Sequence, residues 1–365
     1  MKQKLFILTL ATILLSGCNP APKTLTFAKA EPVARITGDT GDMKEDKAIP
    51  NSNNTTKDYN IGGTDLGIIW QMSNGEYGVL FGDTYGRDHF GADGPTGVDW
   101  RCNVLLFSDD KNPADGFTFS GMAADPADST GTSAREIIYG AKDVSGNGDW
   151  TSIPTGAISA NGKEYIHYMN IKKWVGWETN YSGMFRSADN GRNWEKCENM
   201  SWGADSNFGQ VGYYKKDGYV YMIGTETGRQ SNPRLARFAE KDIENLSEYE
   251  YWNKDENKWM KGDETKATNL FEDTTGELSF IYHTKTQKWV IAYFCESRYN
   301  ISIRYAEDIT GTWSEPQAVA TGEDYPQLYG SYIHPSSADG DSLYFLMSIW
   351  KPYNVFLMKS DIKGE

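Results

Sequence analysis

From about residue 60 onward the chain is a succession of short alternating or wholly apolar runs, each closed by Gly, Asn or Asp. That is the pattern of β-strands joined by tight turns. No stretch holds a helical period for long, and residues 239–247 support one or two helical turns at most. Five segments repeat one plan: a small-residue start, a strand, a turn rich in Gly or Lys, then a more apolar strand. They begin at Gly63, Pro154, Phe208, Gly276 and Tyr329. A third strand follows, as at residues 182–186, 234–238, 301–306 and 354–359. Four strands per repeat over roughly 40–50 residues is the β-propeller pattern. The predicted fold is therefore all-β, a five-bladed β-propeller, since a two-sheet sandwich gives no reason for fivefold recurrence. Residues 187–194 (SADNGRNW) resemble an Asp-box turn between the third and fourth strands of a blade, and residues 311–316 (GTWSEP) resemble the same corner. Such turns satisfy their own backbone amides and mark the fold rather than the chemistry.

The first residues obey a different rule. Lys2 and Lys4 precede an apolar run at residues 5–15, too short to span a membrane permanently. The run closes on Leu15, Ser16, Gly17 and Cys18, as in a bacterial lipobox, so residues 1–17 are expected to be a lipoprotein signal peptide and Cys18 the lipidated residue. Residues 18–30 are then expected to form a tether, with a strand at residues 32–36, and residues 31–365 the catalytic propeller. Outer-membrane attachment, at the cell surface or on the periplasmic face, follows from that reading. Cys102, Cys197 and Cys295 remain, an odd number without short spacing, which is neither a disulfide framework nor a zinc site. The four His include no His-x-x-x-His pair. No cofactor is expected; the Asp-rich residues 88–99 could hold a structural Ca²⁺, but without a regular Ca²⁺-loop spacing.

Charge narrows the partner. Lys and Arg number 36 against 50 Asp and Glu, a net charge of −14, which argues against nucleic acid and against electrostatic docking to anionic lipid. The 12 Trp and 22 Tyr supply faces on which sugars stack, beyond those that fill a core.

Propeller geometry then places the candidate chemistry. First strands start at one mouth of the central channel and second strands end there. The starts are Asp65, Thr155, Gln210, Glu277 and Ser331, and the ends Asp83, Asn170, Glu226, Glu296 and Trp350, with Arg229 and Arg298 just beyond two of them. A funnel of carboxylates without metal-ligand spacing suits acid/base chemistry on a neutral sugar, where one carboxyl stays protonated and a second ionised. Asp65 pairs with either Glu277 or Asp83 in this reading. Asp65 is expected as base or nucleophile, Glu277 as general acid and Asp83 as stabiliser; positions across a channel favour inversion. Each has a plainer reading: Asp83 as a turn Asp, Glu226 and Glu296 as partners of Arg229 and Arg298, and Trp174, Trp177 and Trp350 as core. His334 reads as a hydrogen-bonded channel residue that could reach substrate.

Gly63-Thr64-Asp65-Leu66-Gly67 followed by Leu80-Phe81-Gly82-Asp83-Thr84 resembles the signature of a bacterial group called domain of unknown function 4185. Trp100-Arg101-Cys102-Asn103, Pro154-Thr155-Gly156, Gly276-Glu277-Leu278 and Leu328-Tyr329-Gly330 with His334-Pro335 fit the same family, although Cys102 stands where a small polar residue is expected. The family includes endo-acting D-arabinanases of glycoside hydrolase family 183. The resemblance implies cleavage of the α-linked D-arabinofuranose backbone of mycobacterial arabinogalactan and lipoarabinomannan. It adds Arg101, Asn103 and Tyr329 to the expected substrate-binding set of Thr155, Trp174, Gln210, Glu226, Arg229, Glu296, His334 and Trp350. A glycosidase on another furanoside such as L-arabinan, and a surface glycan-binding propeller without turnover, remain as alternatives.

Overall fold

The computed structural model describes residues 24–38, 49–90 and 94–364. The expected signal peptide and Cys18 lie outside the described residues. Five antiparallel sheets form the blades, their strands following one another outward in chain order except that N-terminal strands join the fifth; a further two-stranded ladder lies beside the first. Blade 1 is built on Leu66–Gln71, Tyr77–Phe81, Val104–Ser108 and Gly121–Met122. Blade 2 runs from Thr151–Ala160 to Glu195–Gly203, and blade 3 from Gln210–Lys216 to Lys258–Lys261, with five strands. Blade 4 runs from Thr275–His283 to Gln317–Thr321. In blade 5, Leu328–Ile333 is innermost, followed by Ser342–Ile349 and Asn354–Gly364. The five innermost strands pack against one another in a closed ring, the first against the fifth. This is the predicted five-bladed propeller.

The first and second strands of a blade lie between neighbouring blades, and their side chains are apolar on both faces. Tyr77–Phe81 and Lys288–Cys295 are buried at every residue. Strands covered on both sides lose the polar alternation of a solvated sheet and read as continuous apolar runs.

The ring is closed by the N-terminal segment. Leu25–Phe27 and Glu31–Arg35 both pair antiparallel with Asn354–Gly364, Leu25 opposite Gly364 and Glu31 opposite Lys359. Leu25 is 1% exposed. The boundary expected at residue 31 is therefore corrected: the propeller begins at least as early as Leu25, and that part of the expected tether is a strand. The reason is the outer edge of blade 5, whose unpaired backbone groups take a partner from the other end of the chain.

Two local expectations are met. Between the third and fourth strands of blade 2, Ser187 Oγ donates to Asp189 Oδ1 at 2.8 Å and accepts from the Gly191 amide at 2.9 Å, while Asp189 accepts from the Asn193 amide at 2.7 Å. Residues 239–248 carry two 3₁₀ turns, Glu240–Asp242 and Leu246–Glu248.

Candidate functional site

One cavity of about 700 Å³ opens where the first strands begin. Asp65 enters it just before the inner strand of blade 1. Leu66 has φ of 66° and Gly67 of 92°, and the Leu66 amide donates to Ser348 Oγ at 2.7 Å, so the backbone turns sharply and directs Asp65 inward. Gly82 lies directly under it, since a Cβ there would come within 2.4 Å of Asp65 Oδ1. The next residue, Asp83, is thereby brought beside Asp65. The short ladder of Thr84–Tyr85 with Trp100–Arg101 folds a long excursion of blade 1 back over it.

The two carboxyls are held differently. Asp83 Oδ1 accepts from Trp100 Nε1 at 2.8 Å and Thr151 Oγ1 at 2.7 Å. Asp65 Oδ2 accepts from the Tyr329 hydroxyl at 2.9 Å, whereas its buried Oδ1 has no protein partner. Desolvation, then the neighbouring Asp83 charge, pushes Asp65 from 3.8 up to about 8. Desolvation also raises Asp83, to about 6, against the lowering effect of its Thr151 and Trp100 hydrogen bonds. Near neutral pH one carboxyl of the pair is protonated and the other ionised.

Glu277 stands on the inner strand of blade 4 and is 6% exposed. Its Oε1 accepts from Arg229 Nη2 at 2.6 Å and Nε at 3.1 Å, and its Oε2 has no protein partner. The guanidinium carbon of Arg229 lies 4.8–5.2 Å from the ring centres of Trp177, Phe294 and Tyr329. Tyr329 thus touches both carboxylate systems, donating to Asp65 and lying against the cation that holds Glu277.

The cavity brings together nine of the fourteen expected catalytic and substrate-binding residues: Asp65, Asp83, Glu277, Thr155, Trp174, Gln210, Arg229, Tyr329 and Trp350. The other five do not line it. Arg101 donates to the Ala134 and Asn60 carbonyls and clamps a loop. Asn103 is fully buried, donating to Ile138 and Ser152 carbonyls and accepting from the Ile137 and Ile138 amides. His334 is buried against Tyr77 and Phe117, away from the cavity lining, with its Nδ1 paired to Ser336 Oγ and its Nε2 without a protein partner. Glu226 is exposed and pairs at 4.0 Å with Arg234, not with Arg229. Glu296 lies 3.9 Å behind Arg229. The anticipated Arg298 partner is instead Asp273, contacted at 2.6 and 2.9 Å.

Sequence reasoning missed Thr151, Tyr353 and the role of Trp100. Tyr353 lines the cavity close to Asp65. Trp100 comes from the excursion of blade 1 and Tyr353 from the turn before a third strand, and only Thr151, at the head of an inner strand, holds a position that could have singled it out. Among the described residues no group of three or more His, Cys, Asp or Glu is placed to hold a metal ion. No helix among them is long and apolar enough to cross a membrane.

Fold and site together define a five-bladed propeller with a carboxylate pair at one mouth of its channel. The model of the family described as Domain of unknown function (DUF4185) matches residues 51–359, and the chain belongs to that family. Notoamide biosynthesis cluster protein J from Aspergillus sp. (strain MF297-2) is 30% identical over 356 residues, 93% of this chain and 90% of the relative. Its counterpart J' from Aspergillus versicolor is 29% identical, covering 96% and 93%. A provisionally named hydrolase from Bacteroides ovatus ATCC 8483 superposes with a TM-score of 0.57 at 12% identity, over 84% of this chain and 87% of that one. An exo-β-1,3-galactanase from Phanerochaete chrysosporium gives 0.50 at 12% identity, over 91% and 64%. At such identities the likeness is one of fold.

Proposed function

We propose that the protein is an endo-acting glycoside hydrolase that cleaves α-D-arabinofuranosyl linkages of D-arabinan through acid/base catalysis by Asp65 and Asp83. The observation that carries this reading is the pair itself: two adjoining carboxyls in one cavity, one held near 8 and the other near 6. Splitting of that kind is what glycoside cleavage requires of its acid and its base. The propeller fold shared with solved hydrolases supports the reaction class. The D-arabinan of mycobacterial arabinogalactan and lipoarabinomannan comes from the resemblance to endo-D-arabinanases.

Asp65 is the general acid and Asp83 the base or nucleophile, an exchange of roles relative to the sequence-based expectation. Two donors stabilise the Asp83 anion at one oxygen, while Asp65 Oδ1 has none and keeps its proton for the leaving oxygen. Glu277, ion-paired with Arg229, closes the far wall and turns its unpartnered Oε2 to the cavity lining as a hydrogen-bond acceptor for substrate. Trp174 and Trp350 offer ring faces to neighbouring sugars. In the same proposal Cys18 carries the lipid that attaches the protein to a bacterial outer membrane.

A second reading places a small molecule in the same cavity. The aromatic wall and the names of the fungal relatives, which attach to a biosynthesis cluster, favour it. Incubating residues 19–365 with mycobacterial arabinogalactan and separating the products by chromatography tests the proposal. A ladder of arabino-oligosaccharides is expected. Cleavage of L-arabinan or another furanan alone would overturn the substrate, and binding without release from any glycan would mark a binding propeller.

A further inference from the structure

Besides Glu277 Oε2, the cavity wall opposite the Asp65–Asp83 pair carries two buried polar atoms without protein partners, on Gln210 and Trp177. Gln210, 2% exposed, heads the inner strand of blade 3. Its Nε2 donates to the Gly228 carbonyl at 3.3 Å, which fixes the orientation of the amide and leaves Oε1 with no donor. Trp177 adjoins the same glycine, and its buried indole Nε1 has no acceptor. Gly228 has φ of 101°, a backbone conformation that favours glycine, and packs against the Trp177 ring at van der Waals distance. Both side chains line the cavity.

Trp177 is also held in a costly conformation. Its φ is 52°, in the left-handed region that a bulky residue rarely occupies. The hydrogen bond from its amide to the Trp174 carbonyl, at 3.0 Å, closes the turn that imposes it. Among the described non-glycine residues with positive φ, Leu66, Tyr299, Gln327 and Tyr353 line the same cavity. Strain gathered at one cavity, with polar atoms left unsatisfied beside it, marks positions kept for a ligand rather than for folding.

An unpaired acceptor and an unpaired donor beside one glycine call for a group that both donates and accepts. A hydroxyl group donates one hydrogen bond and accepts others, so a sugar hydroxyl has the chemistry to complement both atoms. A carboxylate, sulfate or phosphate would leave Gln210 Oε1 unpaired. It would also face Glu277, whose Arg229 is already engaged by Oε1 and covered by three rings. An ammonium group would leave Trp177 Nε1 unpaired.

We infer that Gln210 and Trp177 form a hydroxyl-reading pair that determines specificity for a neutral sugar ring, beside the hydrolytic carboxyls. The inference rests on the glycoside-hydrolase reading and deepens it by naming the residues that read a free hydroxyl of the uncharged glycan at this wall. The chemistry predicts strong rejection of the analogue that lacks that hydroxyl, because two buried polar atoms then lose their partner.

The test measures kcat/KM for D-arabino-oligosaccharides and their monodeoxy analogues, with calorimetric binding of the same oligosaccharides, in the wild type, Gln210→Leu, Gln210→Glu and Trp177→Phe. The wild type is expected to lose about 10²–10⁴-fold in kcat/KM on one monodeoxy analogue. Gln210→Leu and Trp177→Phe should each lose about 10–100-fold on the parent sugar and little further on that analogue. Gln210→Glu, which keeps an acceptor, should retain more activity than Gln210→Leu. Equal sensitivity of all variants to every deoxy position, in folded protein that still cleaves the parent, would overturn the pair and leave the hydrolase reading standing. Weakened binding in both variants, with no turnover by the wild type, would support the pair and overturn the hydrolase. No binding by the wild type would overturn both.

Discussion

At the scale of single residues, the account rests on the different surroundings of two aspartates one glycine apart in space. Burial and the Asp83 charge raise Asp65 to about 8, and burial opposed by two hydrogen bonds leaves Asp83 at about 6. Activity is therefore expected to be bell-shaped in pH, with an acidic limb near 6 from Asp83 and an alkaline limb near 8 from Asp65. A rate profile in kcat/KM checks this, and replacing Trp100 by Phe should move the acidic limb up by about half to one unit by removing one of those bonds. Stability responds to the same proton. Because the folded-state pKa of Asp65 lies above its ordinary 3.8, the folded chain retains a proton between about pH 4 and 8 that the unfolded chain has lost. Its contribution is fully present below pH 4 and is lost as pH rises through about 8. Asp65→Asn is thus expected to raise the thermal midpoint by about 2–5 °C at pH 9 and little at pH 4, followed by calorimetry. Asp65, Asp83 and Glu277 were legible in the sequence because strand ends and channel geometry point to them. The partners that divide their roles were not, because Thr151 and Trp100 reach Asp83 from outside the strand it follows.

At the scale of elements, a repeating strand plan is easy to read and interruptions of it are hard. Hairpins such as Lys288–Cys295 with Asn300–Ala306 have continuous apolar runs and short turns, and the fivefold repeat follows from them. The excursion of blade 1 from Thr84 to Arg101 has no such pattern, yet it carries Trp100 to Asp83. Arg101 and Asn103 stand out in the sequence beside Trp100, but their polar atoms are engaged by backbone: motif proximity does not distinguish a group facing the cavity from one that braces its wall. The strand Leu25–Phe27 escaped detection because three residues among polar neighbours carry too little pattern. Its importance can be measured. Removing residues up to Phe27 exposes the outer edge of blade 5 and the sites of Leu25 and Phe27, at a cost of about 2–5 kcal/mol. A fall of about 4–10 °C in thermal midpoint is expected, with kcat unchanged at 25 °C. An unchanged midpoint would show that this strand does not hold the ring closed.

At the scale of the whole molecule, the two ends of the propeller differ. Every exposed large hydrophobic among the described residues lies in connections at the cavity end, Val144, Val175, Tyr299 and Trp350 among them. The chain's first described strand is at the other end, because Leu25 pairs with Gly364, a whole strand away from Asn354 and the neighbouring Trp350. An anchor at Cys18, as proposed, would hold that opposite end near the membrane and leave the cavity mouth facing outward. The exposed aromatic rim of the cavity then meets the outer sugars of a long substrate, so Tyr299→Ala with Trp350→Ala should raise KM about 5–20-fold for polymer and less than twofold for the shortest cleaved oligosaccharide. The most direct test of the central claim compares wild type and Asp65→Asn on the cleaved glycan, by product release and by calorimetric binding. The account predicts turnover at least about 10³-fold lower with binding within a fewfold of wild type. Turnover by Asp65→Asn within tenfold of wild type would contradict it.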